Sequence, residues 1–156
     1  MIRLVVLDVD GVLTTGEVVL DQEGRESKRL FFHDIDAVYE ARRRGLRVVL
    51  LSGEATPIVG VIAHKLGIDD VWSGRHDKAD ALAEIARDLA VPLDAVCYIG
   101  DSVRDAPAIE LAGLGLAPAD AVPAAREAAD RVLERTGGRG AVSEAIALVL
   151  QDNEAQ

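Results

Sequence analysis

The segment from Leu4 to Thr14 constrains the fold more than any other part of the sequence. Its apolar residues Leu4 to Leu7 predict a short buried strand, and Asp8 and Asp10 follow directly. Residues i and i+2 of a strand point to the same side, so the two carboxylates converge at the carboxyl end of this strand. Open α/β sheets bind their ligands at that end. The segment therefore predicts a sheet strand that carries a functional site.

The two carboxylates also constrain the chemistry of that site. Two carboxylates buried together are costly unless a cation neutralises them. Mg²⁺ is the favoured cation because it prefers oxygen ligands and keeps water and phosphate in its shell. A carboxylate beside such a metal can attack phosphorus and form an aspartyl-phosphate. Taken alone, however, the pair fits equally well two loop aspartates that cap a helix.

Composition and charge favour a single cytoplasmic domain. The 156 residues suit one core, and 49% of them are hydrophobic, which is enough to build it without a structural metal. The single cysteine, Cys97, excludes a disulfide within the chain and fits a reducing compartment. No export signal or membrane-spanning apolar run is expected. The net charge of −10 argues against a nucleic-acid partner.

Strand-like and helix-like segments alternate along the chain, which predicts a parallel sheet covered by helices on both faces. The predicted strands span residues 3–8, 46–51, 70–72, 95–99, 114–117 and 131–133. The predicted helices span residues 34–44, 55–66, 77–90, 105–112, 122–128 and 141–150. A β-hairpin is predicted within 17–31. We predict one domain over 1–150 and a frayed tail over 151–156.

Four segments resemble, in order, the motifs of the haloacid dehalogenase superfamily. Residues 8–16 are similar to the first motif, Asp-x-Asp-Gly followed by an apolar residue, Leu and Thr. The apolar run that ends in Ser52 resembles the second motif, Lys78 the third, and Gly100–Asp105 the fourth. The resemblance covers about residues 1–150. It implies an α/β, Rossmann-like three-layer αβα fold with a mainly parallel sheet.

The resemblance assigns a chemical role to four residues. Asp8 is expected to be the nucleophile toward phosphorus. Asp10 is expected to protonate the leaving alcohol and then to activate water. Ser52 is expected to donate a hydrogen bond to a phosphoryl oxygen, and Lys78 to pair with Asp8 and the phosphate. The alternatives are that Ser52 caps the helix over 55–66 and that Lys78 is a solvated lysine.

The resemblance also implies a Mg²⁺ site. Its expected ligands are the carboxylates of Asp8 and Asp101 and the backbone carbonyl of Asp10. Asp105 is expected to support the metal shell or Lys78. Ser102 stands where relatives often carry a second aspartate, which removes one charge near the metal.

The spacing of the motifs leaves no room for a cap domain. Only 44 positions separate Asp8 from Ser52, and they hold a hairpin and one helix. The sequence resembles the capless sugar-acid phosphatases, typified by 3-deoxy-D-manno-octulosonate 8-phosphate phosphatase, also over residues 21–31 and 137–142. In that family the hairpin assembles tetramers, and a neighbouring subunit closes the site. The resemblance therefore implies a homotetramer and a small phosphorylated sugar-acid substrate.

Further residues are expected to contact the substrate. Thr14 and Gly16 lie where the first loop must approach phosphate closely. Asp34 is expected either to touch the substrate or to cap the helix over 34–44. Arg139, between two glycines, is expected to reach a carboxylate or phosphate with its planar guanidinium, or else to lie in a plain loop.

The second motif bears on the choice of sugar. Octulosonate phosphatases usually read Thr-Gly-Arg there, whereas this chain reads Ser52-Gly53-Glu54, with Lys65 eleven positions after Glu54. That pattern is similar to 2-keto-3-deoxynononate 9-phosphate phosphatases, so the nine-carbon substrate is favoured and the eight-carbon one is the alternative. Glu54 is expected to accept hydrogen bonds from hydroxyl groups of the longer sugar, and Lys65 to pair with the sugar carboxylate or with Glu54. Alternatively, the two residues only stabilise the two ends of the helix over 55–66. A third possibility is a non-catalytic assembly module like the domains fused to acylneuraminate cytidylyltransferases. The presence of both aspartates and the lysine argues against it.

Overall fold

The structure, a computed structural model, describes residues 1–156 and contains eight strands and six α-helices. The strands are β1 Leu4–Leu7, β2 Val19–Leu20, β3 Glu26–Ser27, β4 Arg47–Leu51, β5 Val71–Trp72, β6 Val96–Ile99, β7 Leu114–Ala117 and β8 Arg131–Val132. The helices are α1 Phe32–Arg43, α2 Pro57–Leu66, α3 Lys78–Asp88, α4 Ala106–Leu111, α5 Pro123–Ala128 and α6 Ala141–Glu154. None of these helices combines the length and the apolar character needed to cross a bilayer.

Six strands form one parallel sheet in the order β5-β4-β1-β6-β7-β8. Strand β1 lies inside the sheet, where Val5 pairs with Val48 on one side and Cys97 on the other. Helices cover both faces, so the predicted three-layer α/β fold is confirmed. The carboxyl ends of β4, β1 and β6 are therefore adjacent, and the loops that follow them meet.

Both faces of β1 are buried because its four residues alternate between two apolar clusters. Val5 and Leu7 pack in the cluster that includes residues of α1, α2 and α6. Leu4 and Val6 pack in the cluster that includes residues of α3, α4 and α5. Complete burial of one such side chain contributes about 1.5–3 kcal/mol. The strand that leads into Asp8 is thus held from both sides.

The predicted hairpin is present and stands apart from the main sheet. Its strands β2 and β3 pair antiparallel over two residues each. At its tip, the Asp21 carboxylate accepts hydrogen bonds from the backbone N–H groups of Glu23 and Arg25. No other insertion interrupts the α/β alternation before β4, which agrees with the expected absence of a cap.

The predicted frayed tail is wrong for most of its length. Helix α6 continues to Glu154, four residues beyond the predicted end. The side-chain amide of Asn153 explains the difference, since its Nδ2 donates to the Ile2 carbonyl and its Oδ1 accepts from the Ile2 N–H, both at 2.8 Å. This reciprocal pair anchors the last turn of α6 to the segment that precedes β1.

Asp34 caps a different helix from the one predicted. Helix α1 begins at Phe32, so Asp34 lies inside its first turn and not at its N-cap. The buried carboxylate accepts the N–H groups of Gly140, at 3.3 Å, and Ser143, at 2.9 Å. These groups belong to the start of α6, where free N–H groups and the helix dipole favour an anion. Asp34 therefore joins α1 to α6.

The Gly-Gly segment before α6 packs against the turn that follows β1. Residues 9–13 form a wide turn, closed by a hydrogen bond of 3.1 Å from the Thr14 N–H to the Val9 carbonyl. A Cβ added at Gly137 would lie 1.8 Å from the carbonyl oxygen of Gly11 in this turn. The next residue, Gly138, donates its N–H to the Val12 carbonyl at 2.9 Å. A glycine at 137 is therefore needed for this close approach.

We expect Gly137→Ala to lower the free energy of unfolding by about 1–3 kcal/mol, because the added methyl group must push the turn aside. Chemical denaturation followed by circular dichroism measures this change. The matched control is Gly60→Ala in α2, where an added Cβ meets no atom within 4 Å. That variant should be more stable by about 0.5–1 kcal/mol, the helix-propensity gain. Unchanged stability of Gly137→Ala would contradict the packing argument.

Candidate active site

The strand ends bring most of the predicted site residues to one cavity of about 540 Å³. Asp8 follows β1, Ser52 follows β4 and Asp101 follows β6, while Lys78 is the first residue of α3. The full lining consists of Asp8, Asp10, Gly16, Ser52, Gly53, Glu54, His76, Lys78, Asp101, Ser102, Val103, Arg104 and Val122. The parallel topology explains this convergence, because loops after neighbouring parallel strands leave the sheet at the same end.

Lys78 is buried and uses all three of its N–H donors inside the protein. Its Nζ donates to Asp8 Oδ1 at 3.0 Å, to Asp105 Oδ1 at 3.1 Å and to the Leu51 carbonyl at 3.2 Å. Burial opposes the charge on Lys78, but the two carboxylates outweigh it and raise its pKa above the ordinary value. The lysine therefore stays charged at the start of a helix, a place that disfavours cations. It is not the solvated lysine of the alternative interpretation.

Asp105 organises the loop after β6. Its Oδ1 accepts hydrogen bonds from Lys78 and, at 2.5 Å, from the Tyr98 hydroxyl. Its Oδ2 accepts the N–H groups of Asp101 and Ser102, both at 3.0 Å, and the Ser102 hydroxyl at 2.8 Å. Burial opposes ionisation, but Lys78 and these donors hold the pKa of Asp105 below its usual value. Both oxygens of Asp105 are thus occupied by protein donors, which favours a positioning role over metal binding.

Asp8 keeps one carboxylate oxygen available. Its Oδ1 accepts the Val9 N–H at 2.9 Å and the Lys78 ammonium. Its Oδ2 receives no hydrogen bond from a protein N–H or hydroxyl group, and Asp8 is one of the residues that line the cavity. Burial raises the pKa of Asp8 well above its usual value, and the nearby Asp105 carboxylate raises it further. An ionised Asp8 thus needs more positive charge than Lys78 supplies.

The acidic cluster fits a divalent metal ion. Carboxylate oxygens of Asp8, Asp101 and Asp105 all lie within 4.8 Å of one another. Burial raises the pKa of Asp101 to about 6. Since Asp105 is fully hydrogen-bonded, the carboxylates of Asp8 and Asp101 are the ones available to a hard cation that prefers oxygen. A Cβ at Gly11 would lie 1.8 Å from Asp101 Oδ2, so glycine is required where this carboxylate approaches the turn.

Asp10 is held by Lys28, a residue that the sequence analysis missed. Lys28 Nζ donates to Asp10 Oδ1 at 2.7 Å and to Glu54 Oε2 at 3.1 Å. Only 3% of the Lys28 side chain is exposed. Thr14 Oγ1 donates to the same oxygen of Asp10 at 3.3 Å, which leaves Oδ2 without a protein donor. No local pattern marks Lys28, because it lies 18 positions from Asp10 and 26 from Glu54.

The hydroxyl groups of Thr14 and Ser52 have different surroundings. Thr14 Oγ1 is buried and accepts the Gly16 N–H at 3.2 Å, so it closes the first loop, while Gly16 itself lines the cavity. Ser52 Oγ accepts the Glu54 N–H at 3.1 Å, and its own proton is free to point into the cavity. Helix α2 has Thr56 at its N-cap, so the interpretation of Ser52 as its cap is wrong.

Four predicted substrate contacts are not among the residues that line this cavity: Thr14, Asp34, Lys65 and Arg139. Lys65 is in the last turn of α2, and its Nζ lies 5.7 Å from the centre of the Phe32 ring. The predicted proximity of Lys65 to Glu54 is not found within the chain, because the helix between them carries Lys65 away and Lys28 pairs with Glu54 instead. Arg139 is exposed and lines a neighbouring cavity of about 190 Å³ beside the hairpin.

We expect Mg²⁺ to raise the midpoint temperature of thermal unfolding of the wild-type chain and to have no such effect on Asp101→Asn. A ligand that binds the native state alone stabilises it. In EDTA, Asp101→Asn should unfold at the same or a higher temperature, since it removes the repulsion between the half-buried Asp101 carboxylate and the two buried carboxyl groups beside it. Thermal denaturation in EDTA and in excess Mg²⁺ measures both effects.

The Mg²⁺ effect should weaken on acidification from about pH 8 to about pH 5, because protons compete with the metal for carboxylates. The sign follows from Asp101, whose pKa of about 6 exceeds its usual value. Without metal, the raised pKa of Asp101 lowers the free energy of unfolding above pH 6. This destabilisation decreases at lower pH, as the carboxyl group is protonated. Asp69→Asn, at an exposed loop position, is the control. Equal Mg²⁺ shifts in the Asp101→Asn variant and the wild type would exclude Asp101 as a ligand.

Comparison with known proteins identifies relatives of this chain. The haloacid dehalogenase-like hydrolase family matches residues 21–113. The 3-deoxy-D-manno-octulosonate 8-phosphate phosphatase of Escherichia coli K12 is 36% identical over 149 residues, which are 96% of this chain and 79% of that protein.

Solved structures agree with the sequence comparison. The Moraxella catarrhalis 3-deoxy-D-manno-octulosonate 8-phosphate phosphatase in complex with magnesium, phosphate and KDO has a TM-score of 0.93 and 31% identity, covering 96% of this chain and 86% of that chain. The cobalt-bound Haemophilus influenzae enzyme also has a TM-score of 0.93, with 33% identity over 98% of this chain and 90% of that chain. The chain therefore belongs to the haloacid dehalogenase-like hydrolase family, and it is a phosphatase of the branch that contains these enzymes.

Proposed function

We propose that this phosphatase hydrolyses the phosphate monoester of a 2-keto-3-deoxy sugar acid, with Mg²⁺ as its cofactor. The observation that carries the proposal is the convergence of Asp8, Asp10, Lys78 and Asp101 on one cavity. The names of the relatives supply the substrate class. The metal would be held by Asp8, Asp101 and the Asp10 carbonyl, and when bound it offsets negative charge on the phosphoryl group.

The first step transfers the phosphoryl group to Asp8. One carboxylate oxygen of Asp8 forms a bond to phosphorus while the bond from phosphorus to the sugar oxygen breaks, and the other carboxylate oxygen of Asp8 is the one expected to bind the metal. The sugar oxygen takes a proton from the carboxyl group of Asp10, so a neutral alcohol leaves. Ser52 donates its proton to a phosphoryl oxygen. Lys78 stays on Oδ1 of Asp8 and stabilises the charge that builds up nearby.

The second step releases inorganic phosphate. Asp10, now a carboxylate, takes a proton from a water molecule as that water attacks phosphorus. The bond between phosphorus and Asp8 breaks, and Asp8 regains its carboxylate. Lys28 and Thr14 both bind Oδ1 of Asp10, so its Oδ2 is the oxygen free for both proton transfers.

We expect Asp10→Asn to lower kcat for a sugar-acid phosphate by about 10²–10⁴-fold, the usual contribution of general acid–base catalysis. The leaving group of p-nitrophenyl phosphate needs no proton. With this substrate, Asp10→Asn should therefore slow phosphoryl transfer to Asp8 less than it slows hydrolysis of the phosphorylated enzyme. The phosphorylated enzyme should then accumulate, and intact-protein mass spectrometry after rapid acid quench would detect it. Asp8→Asn is the control that cannot form it. Equal losses on both substrates with no phosphoenzyme would contradict the role of Asp10.

The eight-carbon substrate, 3-deoxy-D-manno-octulosonate 8-phosphate, is the first candidate because the curated relatives carry that name. The nine-carbon substrate, 2-keto-3-deoxynononate 9-phosphate, remains the second. The observation that favours it is the position of Glu54 on the cavity wall, where its carboxylate can accept hydrogen bonds from additional hydroxyl groups. Lys65 does not support the nine-carbon candidate within one chain, because its Nζ lies beside the Phe32 ring.

The two substrates are separated by their specificity constants with the wild-type enzyme and with Glu54→Gln. If Glu54 selects the longer polyol, Glu54→Gln should lower the ratio of nine-carbon to eight-carbon kcat/KM by about 3–10-fold, roughly the net value of one hydrogen bond. A wild-type preference for the eight-carbon ester with an unchanged ratio in the variant would remove the nine-carbon candidate.

We also propose a homotetramer in the cytoplasm, with a neighbouring subunit beside the active site. The hairpin supports the assembly, since Val18, Val19 and Leu20 are 46%, 53% and 61% exposed there. Such adjacent apolar side chains favour burial against a partner. The free buried thiol of Cys97 supports a reducing compartment. Light scattering that gives the mass of one chain would contradict the assembly.

A further inference from the structure

Arg104 is the one strong cation on the cavity wall that has no carboxylate partner. Lys78 and Arg104 are the two strong cations on the wall. Lys78 is fully occupied by Asp8, Asp105 and the Leu51 carbonyl. Arg104 forms no salt bridge, and its only side-chain hydrogen-bonding contact is between Nη1 and Nδ1 of His76. Its guanidinium therefore retains most of its donors for a ligand.

Three loops build the surroundings of Arg104. His76 precedes α3, Gly53 follows β4 and Arg104 follows β6, and all three residues line the cavity. A Cβ added at Gly53 would lie 3.1 Å from Nδ1 of His76, so the glycine leaves room for the imidazole ring. The ring in turn contacts the guanidinium. This packing orients Arg104 at the mouth of the site.

The neighbouring Arg75 has a different role. It makes hydrogen bonds of 2.8 to 3.2 Å to Asp77 and Glu84, and its guanidinium lies 5.6 Å from the centre of the Trp72 ring. These contacts engage both ends of its planar group. Arg75 therefore has a structural role, although it directly precedes His76 in the sequence.

The rest of the wall is strongly acidic. Asp8, Asp10, Glu54 and Asp101 all line it, and only the first and last of these are available to a metal ion. A sugar acid brings a carboxylate in addition to its phosphate. Away from the metal, that second anion would be repelled by Glu54 and Asp10, and it would find a matching donor at Arg104. A guanidinium binds a carboxylate through two parallel hydrogen bonds, which also fixes its orientation.

We propose that Arg104, oriented by His76, binds the carboxylate of the substrate and so selects sugar-acid phosphates over neutral phosphate esters. This inference rests on the proposed function and names the specificity residue of the same cavity. Arg104 is a substrate-binding residue in this proposal, and His76 is a positioning residue that acts through it.

The test compares 3-deoxy-D-manno-octulosonate 8-phosphate with p-nitrophenyl phosphate, which has no carboxylate. In Arg104→Ala the ratio of their kcat/KM values should fall by about 10–100-fold, as expected when a hydrogen-bonded ion pair is lost. The loss should lie mainly in KM for the sugar-acid phosphate. Arg104→Lys should restore part of it, and His76→Ala should give a smaller loss in the same direction. Arg126→Ala, an exposed arginine on α5, is the control and should leave the ratio unchanged.

A second measurement avoids phosphoryl transfer. The free sugar acid, which lacks phosphate, should inhibit the wild-type enzyme competitively, and its inhibition constant should rise in Arg104→Ala. Equal loss of activity on both substrates, or an unchanged inhibition constant, would overturn the carboxylate site. If the wild-type enzyme prefers sugar-acid esters and Arg104→Ala keeps that preference, the role of Arg104 is overturned and the proposed substrate class stands. A wild-type enzyme with no preference for sugar-acid esters would overturn both it and the proposed substrate class.

Discussion

The buried ion cluster of Asp8, Lys78 and Asp105 is the interaction on which the rest of the site depends. It joins the end of β1, the start of α3 and the loop after β6 through two hydrogen bonds of 3.0 and 3.1 Å. Removal of one partner from such a cluster leaves a buried charge uncompensated, at a cost of about 3–5 kcal/mol. The same geometry leaves only one oxygen of Asp8 without a protein donor. Stability and the orientation of Asp8, the proposed nucleophile, therefore come from the same contacts.

The local arrangement of cations explains how an acidic protein can accept an anionic substrate. The chain has a net charge of −10, yet two basic side chains line the cavity and a third contacts carboxylates of its wall. Lys78 neutralises the buried carboxylates, Lys28 lies behind Asp10 and Glu54, and Arg104 stands at the mouth. A divalent ion on Asp8 and Asp101 would complete this balance. The field that the substrate meets is set by these few groups more than by the net charge.

Residues at strand ends were predictable, and residues supplied by distant loops were not. Asp8, Ser52 and Asp101 each follow an apolar run, so periodicity and parallel topology suffice to place them together. The contacts of Lys28 depend on how a short hairpin folds back, which no local pattern encodes. The pairing expected of Glu54 with Lys65 failed for a similar reason, because the direction of α2 decides where its last turn lies. Asp34 was assigned to its own helix, whereas tertiary packing uses it to cap α6.

The sequence by itself determined the α/β alternation, the strand-end carboxylates and the absence of a cap between Asp8 and Ser52. These features depend on side-chain order and on short-range geometry, which a linear sequence contains. The expected pairing of Lys78 with Asp8 is present, but only the tertiary structure decided the partners of the other cations: Lys28 reaches Asp10 and Glu54, and Arg104 reaches no carboxylate. Those pairings are set by atomic distances between segments that lie far apart in the chain. Ion pairs and hydrogen bonds form only within a few ångströms, so their partners are fixed once the chain has folded.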